Sequence, residues 1–126
     1  MDAHPNASIY RKATKLLAAG DIEEYLDYIS DSILWWEIDS TEPVKGKTAL
    51  RAHLQDLPDL SIKSEIHDIL ANDEHLVALI HAVGTTEDGE ISLSYAEVIH
   101  FDGQLLAKRQ VFPSNVRAAQ AFFDID

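Results

Sequence analysis

Residues 61–112 read SIKSEIHDILANDEHLVALIHAVGTTEDGEISLSYAEVIHFDGQLLAKRQVF, and this stretch decides the fold. Apolar, β-branched and aromatic residues recur in strand-like runs broken by Asn72-Asp73, Asp88-Gly89 and Asp102-Gly103. Short polar pairs between such runs mark hairpins, and Asp-Gly suits two-residue turns whose central residues need positive φ. The reading is an antiparallel meander with strands at 61–71, 75–87, 90–101 and 104–112.

Ahead of the meander the periodicity is helical. Ile9, Ala13, Leu16 and Leu17 give a first helix over 6–19, with Asn6 or Ser8 as N-cap and Gly20 just past its end. Asp21 and Glu24 form a capping-box pair for a second helix carrying Ile22, Tyr25, Leu26 and Ile29. Residues 33–38, ILWWEI, read as a strand apolar on both faces. Leu50, Leu54 and Leu57 mark a third helix over 47–57, with Pro58 beyond it. Ser114 is a candidate cap for a short last helix with Val116, Phe122 and Phe123. Helices first and strands after them indicate an α+β domain rather than alternating βαβ units. A long sheet curved around helices makes a conical roll with an interior pocket.

The 126 residues suffice for a single domain, 1–126, and no linker or repeat divides them. A net charge of −12 without a basic patch argues against nucleic acid and anionic membrane surfaces as partners. The absence of cysteine excludes disulfides, thiolate catalysis and cysteine-ligated metals. The opening MDAHPNASIYRK lacks an apolar signal core, so the expectation is a cytoplasmic chain with its native N-terminus. No P-loop, GxGxxG or GxSxG motif is present, so no cofactor is expected. The histidines show no HxxxH or HxH spacing, so no metal is expected either. His67 is the histidine to watch; its reading is open between ligand contact and an ordinary strand histidine.

Two-residue Asp-Gly turns set the facing pairs. They place Glu97 opposite Ile80 and Lys108, and Tyr95 opposite Ala82 and Gln110. One face then collects apolar residues with Tyr95, Glu97, Lys108 and Gln110, the composition of a ligand pocket. Glu97 is the sharpest candidate. Either Lys108 neutralises it, or Lys108 extends to water and leaves a desolvated carboxyl able to donate a proton. A one-residue slip would exchange a strand's faces. On the other face Val77, Leu79, Val83, Val98 and Val111 make an apolar stripe that a homodimer would cover.

Taken in order, AAGD (18–21), SDSILWWE (30–37), GKTALRAHL (46–54), EIHDILANDEHLVALI (65–80), FDGQLLAKRQVFP (101–113) and AFFD (121–124) resemble the SnoaL-like and ketosteroid isomerase-like proteins. These belong to the nuclear transport factor two-like superfamily. The resemblance implies the cystatin-like conical roll and a small apolar molecule in its pocket. It implies a cofactor-free acid/base isomerase, cyclase or dehydratase, or else a non-catalytic ligand-binding or interaction module. It puts Glu37 at the isomerases' carboxylate base and Glu97 at the acid of their oxyanion hole. Glu37 also reads as a strand-end carboxylate facing water. The isomerases' tyrosine falls on Ala13, with Tyr10 one turn earlier. Trp35 is expected to line the pocket, although both Trp35 and Trp36 also read as core.

Overall fold

The computed structural model describes residues 4–38, 40–56, 62–86, 89–115 and 117. Helix α1 spans Pro5–Ala18, α2 Ile22–Leu26 and α3 Lys47–Gln55. Strands are β1 Ile29–Trp35, β2 Val44–Lys45, β3 Ile62–Ala71, β4 His75–Thr86, β5 Gly89–Asp102 and β6 Leu105–Pro113. They form one six-stranded sheet in the order β2-β1-β6-β5-β4-β3. The α+β architecture is the one expected, with the helices against one sheet face. The expected last helix with Val116, Phe122 and Phe123, and the expected third-helix residue Leu57, lie outside the described residues.

Helix α1 starts one step earlier than its sequence suggests. His4, not Asn6 or Ser8, caps it, its Nδ1 accepting the Asn6 N–H at 3.1 Å, with Pro5 in the first turn. Asn6 is instead buried inside the helix. Its Nδ2 donates to the carbonyls of Asn72 and Asp73 at 3.1 and 3.2 Å, which pins α1 to the β3–β4 turn. Gly20, at φ 82°, ends the helix as expected: its N–H reaches the Leu17 carbonyl and the Asp21 N–H the Leu16 carbonyl.

Strand β1 begins at Ile29, not at Ile33, because β6 extends the pairing: the Leu106 N–H bonds the Tyr28 carbonyl at 2.8 Å. It stops at Trp35, and Glu37 follows beyond the strand end.

Both C-terminal hairpins differ from their expected register. Thr86 pairs with Gly89, so Glu97 faces Ala78 and Tyr95 faces Ile80. Asp102 pairs with Leu105 around a turn containing Gly103, at φ 62°. Each turn shifts the pairing by two positions, which keeps every side chain on its face. A β-bulge then intervenes in β6: Phe101 pairs with Leu106, but His100 pairs with Lys108. The extra residue, Ala107, reverses the faces of the rest of the strand. Glu97 therefore lies opposite Val111, and Arg109 rather than Lys108 or Gln110 turns inward.

The core between helices and sheet is closed by Tyr10, Leu26, Ile33, Leu50, Leu76 and Ile99, all within 1–2% of full burial or better. Val111, expected on the outer stripe, is buried inside, and Phe112 takes the outer place, 54% exposed.

Candidate active site

Four elements and the segment just after β1 bring five side chains into one chain of hydrogen bonds. Strand β5 turns Glu97 inward, 8% exposed. From α1 the Tyr10 hydroxyl donates to Glu97 Oε1. From β6 Arg109 Nε donates to Glu97 Oε2 at 3.0 Å, while its Nη1 donates to Glu37 Oε1 at 2.8 Å and to the Trp36 carbonyl at 2.9 Å. From α3 His53 Nε2 lies 2.6 Å from Glu37 Oε2. An ionised carboxylate only accepts, so Nε2 carries the proton and Nδ1 is the basic nitrogen. The order is Tyr10–Glu97–Arg109–Glu37–His53.

The chain runs from a buried end to an open one. The side chains of Glu97 and Arg109 are 11% and 12% exposed, those of Glu37 and His53 35% and 28%. The Arg109 guanidinium carbon also lies 4.2 Å from the centre of the Trp35 ring, a cation–π contact that covers the indole face.

These contacts set the proton chemistry. Burial raises the pKa of Glu37, but the Arg109 charge and the hydrogen bonds from His53 and Arg109 outweigh it, and the carboxyl is held below its ordinary value. Arg109 is shifted up: burial lowers it, and the Glu97 and Glu37 charges more than reverse this. Tyr10 is shifted well up by burial and then by Glu97, so its hydroxyl keeps its proton as a donor. Burial and the Glu97 charge push Tyr95 up to about 12.

A carboxylate with its pKa depressed in the fold stabilises the fold above its unfolded-state pKa. That contribution disappears as pH falls through the folded-state value. The difference in stability between the parent and Glu37→Gln is therefore expected to be widest near neutral pH and to close in acid. Urea unfolding followed at a series of pH values between 3 and 7, on the order of the carboxylate range, measures it.

Among the residues singled out by sequence, Glu37, Glu97 and Tyr10 come together, and Trp35 lies beneath their arginine. Tyr95 shares their sheet face, opposite Ile80. Lys108 and Gln110 do not join them. Lys108 pairs with His100 and lies 5.4 Å over the Trp36 ring, and Gln110 pairs with Val98 on the outer face. His67 faces outward too. It borders a groove of about 630 Å³ on the outer sheet face with Glu65, Leu79, His81 and Phe112. Ala13, at the position of the isomerases' tyrosine, is fully buried core.

Sequence reasoning missed Arg109 and His53. Arg109 sits one residue from Lys108, and only the bulge decides which of them turns inward. His53 was legible: it lies three residues after Leu50 and one before Leu54, at the edge of the helical face those leucines define.

The family model for the SnoaL-like domain matches residues 10–109. The chain belongs to the SnoaL-like family. Its solved structural neighbours share the fold at low identity. An NTF2-like protein of unknown function from Burkholderia pseudomallei superposes with a TM-score of 0.82 at 13% identity, over 96% of this SnoaL-like chain and 98% of that one. A Δ5-3-ketosteroid isomerase from Mycobacterium sp. gives a TM-score of 0.73 at 15% identity, over 92% and 97%. A putative polyketide cyclase from Xanthomonas campestris gives 0.70 at 17% identity, over 94% and 96%. The search of curated proteins finds no match to this SnoaL-like chain. Among the described residues no group of three or more metal-ligating side chains could hold an ion, and no helix is long and apolar enough to cross a membrane.

Proposed function

We propose that this SnoaL-like protein is a cofactor-free acid/base catalyst acting on a small apolar carbonyl compound, as an isomerase, cyclase or dehydratase. The observation that supports this reading is the Glu37–His53 pair at the open end of the cluster, anchored from behind by Arg109. A carboxylate that orients an imidazole and stabilises its protonated form makes that imidazole a general base. Glu37, with a depressed pKa, is a weak base itself. It acts here as the orienting carboxylate, and His53 Nδ1 exchanges the proton. Glu97 accepts a donor on each oxygen and serves as the buried counter-charge to Arg109.

The test is proton exchange at carbon. The protein is incubated in D₂O with simple cyclic ketones, and deuterium entry beside the carbonyl is followed by NMR. Catalysed exchange is the expected result. Mass spectrometry of small molecules that copurify with the protein identifies the class of ligand.

The second reading, a non-catalytic binding or interaction module, draws support from Ala13 in place of the isomerases' tyrosine. It accounts for the same buried cluster as a purely structural one. It predicts ligand binding without exchange.

We also propose a homodimer through the outer sheet face. Leu79 and Phe112 are 38% and 54% exposed there, beside the half-buried Val77 and Val98. Light scattering is expected to give twice the chain mass for the parent and a single chain mass for Phe112→Glu, because a charge buried unpaired in an interface is strongly unfavourable. A parent of single-chain mass removes the dimer. A cytoplasmic location fits the absence of cysteine.

A further inference from the structure

Among the fully buried side-chain donors and acceptors of the described residues, all but one are matched. Tyr10 is taken by Glu97, and Arg109 Nε and Nη1 are taken by Glu97, Glu37 and the Trp36 carbonyl. The exception is the indole N–H of Trp35, a residue only 4% exposed: Nε1 has no acceptor among the described residues. A buried unpaired donor is costly, and native interiors keep few of them. The ring does not need the N–H to be held. Arg109 covers its face at 4.2 Å and the Tyr25 ring meets it edge-on at 6.2 Å and 90°. Trp35 also lies two residues before Glu37, and Arg109 touches both, so the indole ring lies beside the cluster.

We infer that the Trp35 N–H is the donor to an oxygen of the bound molecule, and that this oxygen is the neutral carbonyl of a ketone or ester. The inference rests on the acid/base reading of the same site. The neutrality follows from charge. Glu37 and Glu97 bring two formal negative charges against the single positive charge of Arg109, so an anionic oxygen enters against a net negative site. A neutral carbonyl does not, and it gains most when its charge develops. His53 Nδ1 removes the proton beside the carbonyl. The C–H electron pair becomes the C=C bond of an enolate, and the oxygen takes the charge against the Trp35 N–H. Returning the proton from His53 to carbon restores the ketone or its isomer. A fixed donor aimed at a developing oxyanion is the usual source of such stabilisation. Tyr10, tied to Glu97, is not free for this task.

The chain has two tryptophans, so ¹⁵N-labelled protein gives two indole signals, and Trp36→Phe assigns them. Two probes share a ring and differ in charge: cyclohexanone and cyclohexanecarboxylate. The expected result is a saturable downfield shift of the Trp35 N–H with cyclohexanone and none with the carboxylate. Trp35→Phe, which keeps a face for Arg109, is expected to bind cyclohexanone about three- to tenfold more weakly, the loss of one neutral hydrogen bond. Three results overturn the inference: a Trp35 N–H already bonded to a buried water in the free protein, a shift with the carboxylate alone, or no shift with either probe. The acid/base reading fails separately. A Trp35 shift with cyclohexanone but no deuterium exchange leaves Trp35 as a ligand donor in a binding module.

Discussion

The Arg109→Met protein is expected to be less stable than the parent by about 3–5 kcal/mol, the cost of breaking a buried ion pair from one side. Methionine fills much of the space of the arginine stem, so packing is not the main loss. What is lost is the counter-charge. Glu97 keeps only the Tyr10 hydroxyl, and Glu37 keeps only His53. The Trp36 carbonyl loses its donor as well. A domain of this size has a total stability of about 5–15 kcal/mol, so the variant loses about a fifth of that or more. Urea unfolding measures it directly. Adding Glu97→Gln to Arg109→Met removes the stranded charge and is expected to recover part of the loss, which a double-mutant cycle quantifies. Equal stability of parent and Arg109→Met would show that the cluster contributes nothing to the fold.

The second large effect is on activity. His53→Ala is expected to lower the rate of proton exchange by about 10²- to 10⁴-fold, the usual contribution of a positioned general base. The fold is expected to survive, because His53 is partly exposed on α3 and its neighbours Leu50 and Leu54 hold the helix to the core. His53→Gln separates position from chemistry. It retains a donor for Glu37 and lacks a basic nitrogen, so it should match alanine in rate and the parent in stability. Deuterium exchange and thermal melts on the three proteins decide it. Unchanged exchange in His53→Ala would move the base to Glu37.

The fold was legible because the meander announces itself. Its turn pairs and strand runs allow few other arrangements, and the helical stripes before it are periodic. The site was legible on β5 and less so on β6. Glu97 kept its face because both turn errors were even: two positions preserve side-chain parity. The bulge at Ala107 is odd, and nothing in LLAKRQV distinguishes a regular strand from a bulged one. The consequence was an exchange of Lys108 for Arg109, a change of ligand chemistry as well as position. A lysine offers a point charge, whereas the planar guanidinium joins two carboxylates at once. The β1 boundary failed for a different reason. Ser30, Asp31 and Ser32 carry no strand signal of their own and lie where the β1–β6 register shifts, between the Ile29–Leu106 and Leu34–Lys108 pairs.

That pairing of β1 with β6 has a consequence for how the chain reaches its native state. Among the described strands, β1 has two neighbours, the two-residue β2 and the distant β6, which it joins in parallel. The Trp36 N–H bonds the Arg109 carbonyl while the Arg109 side chain bonds the Trp36 carbonyl, so contacts 73 positions apart fasten the two strands twice over. Contacts of such long separation are slow to form. During synthesis the helices and β1 emerge well before their sheet is complete, with Glu37 lacking its cation and the Trp35 face uncovered. The hairpins β3–β4 and β4–β5 are local and can form on their own schedule. Helix α1 can meet the β3–β4 turn early through Asn6, whereas the end of β1 must wait for Arg109 to fasten it.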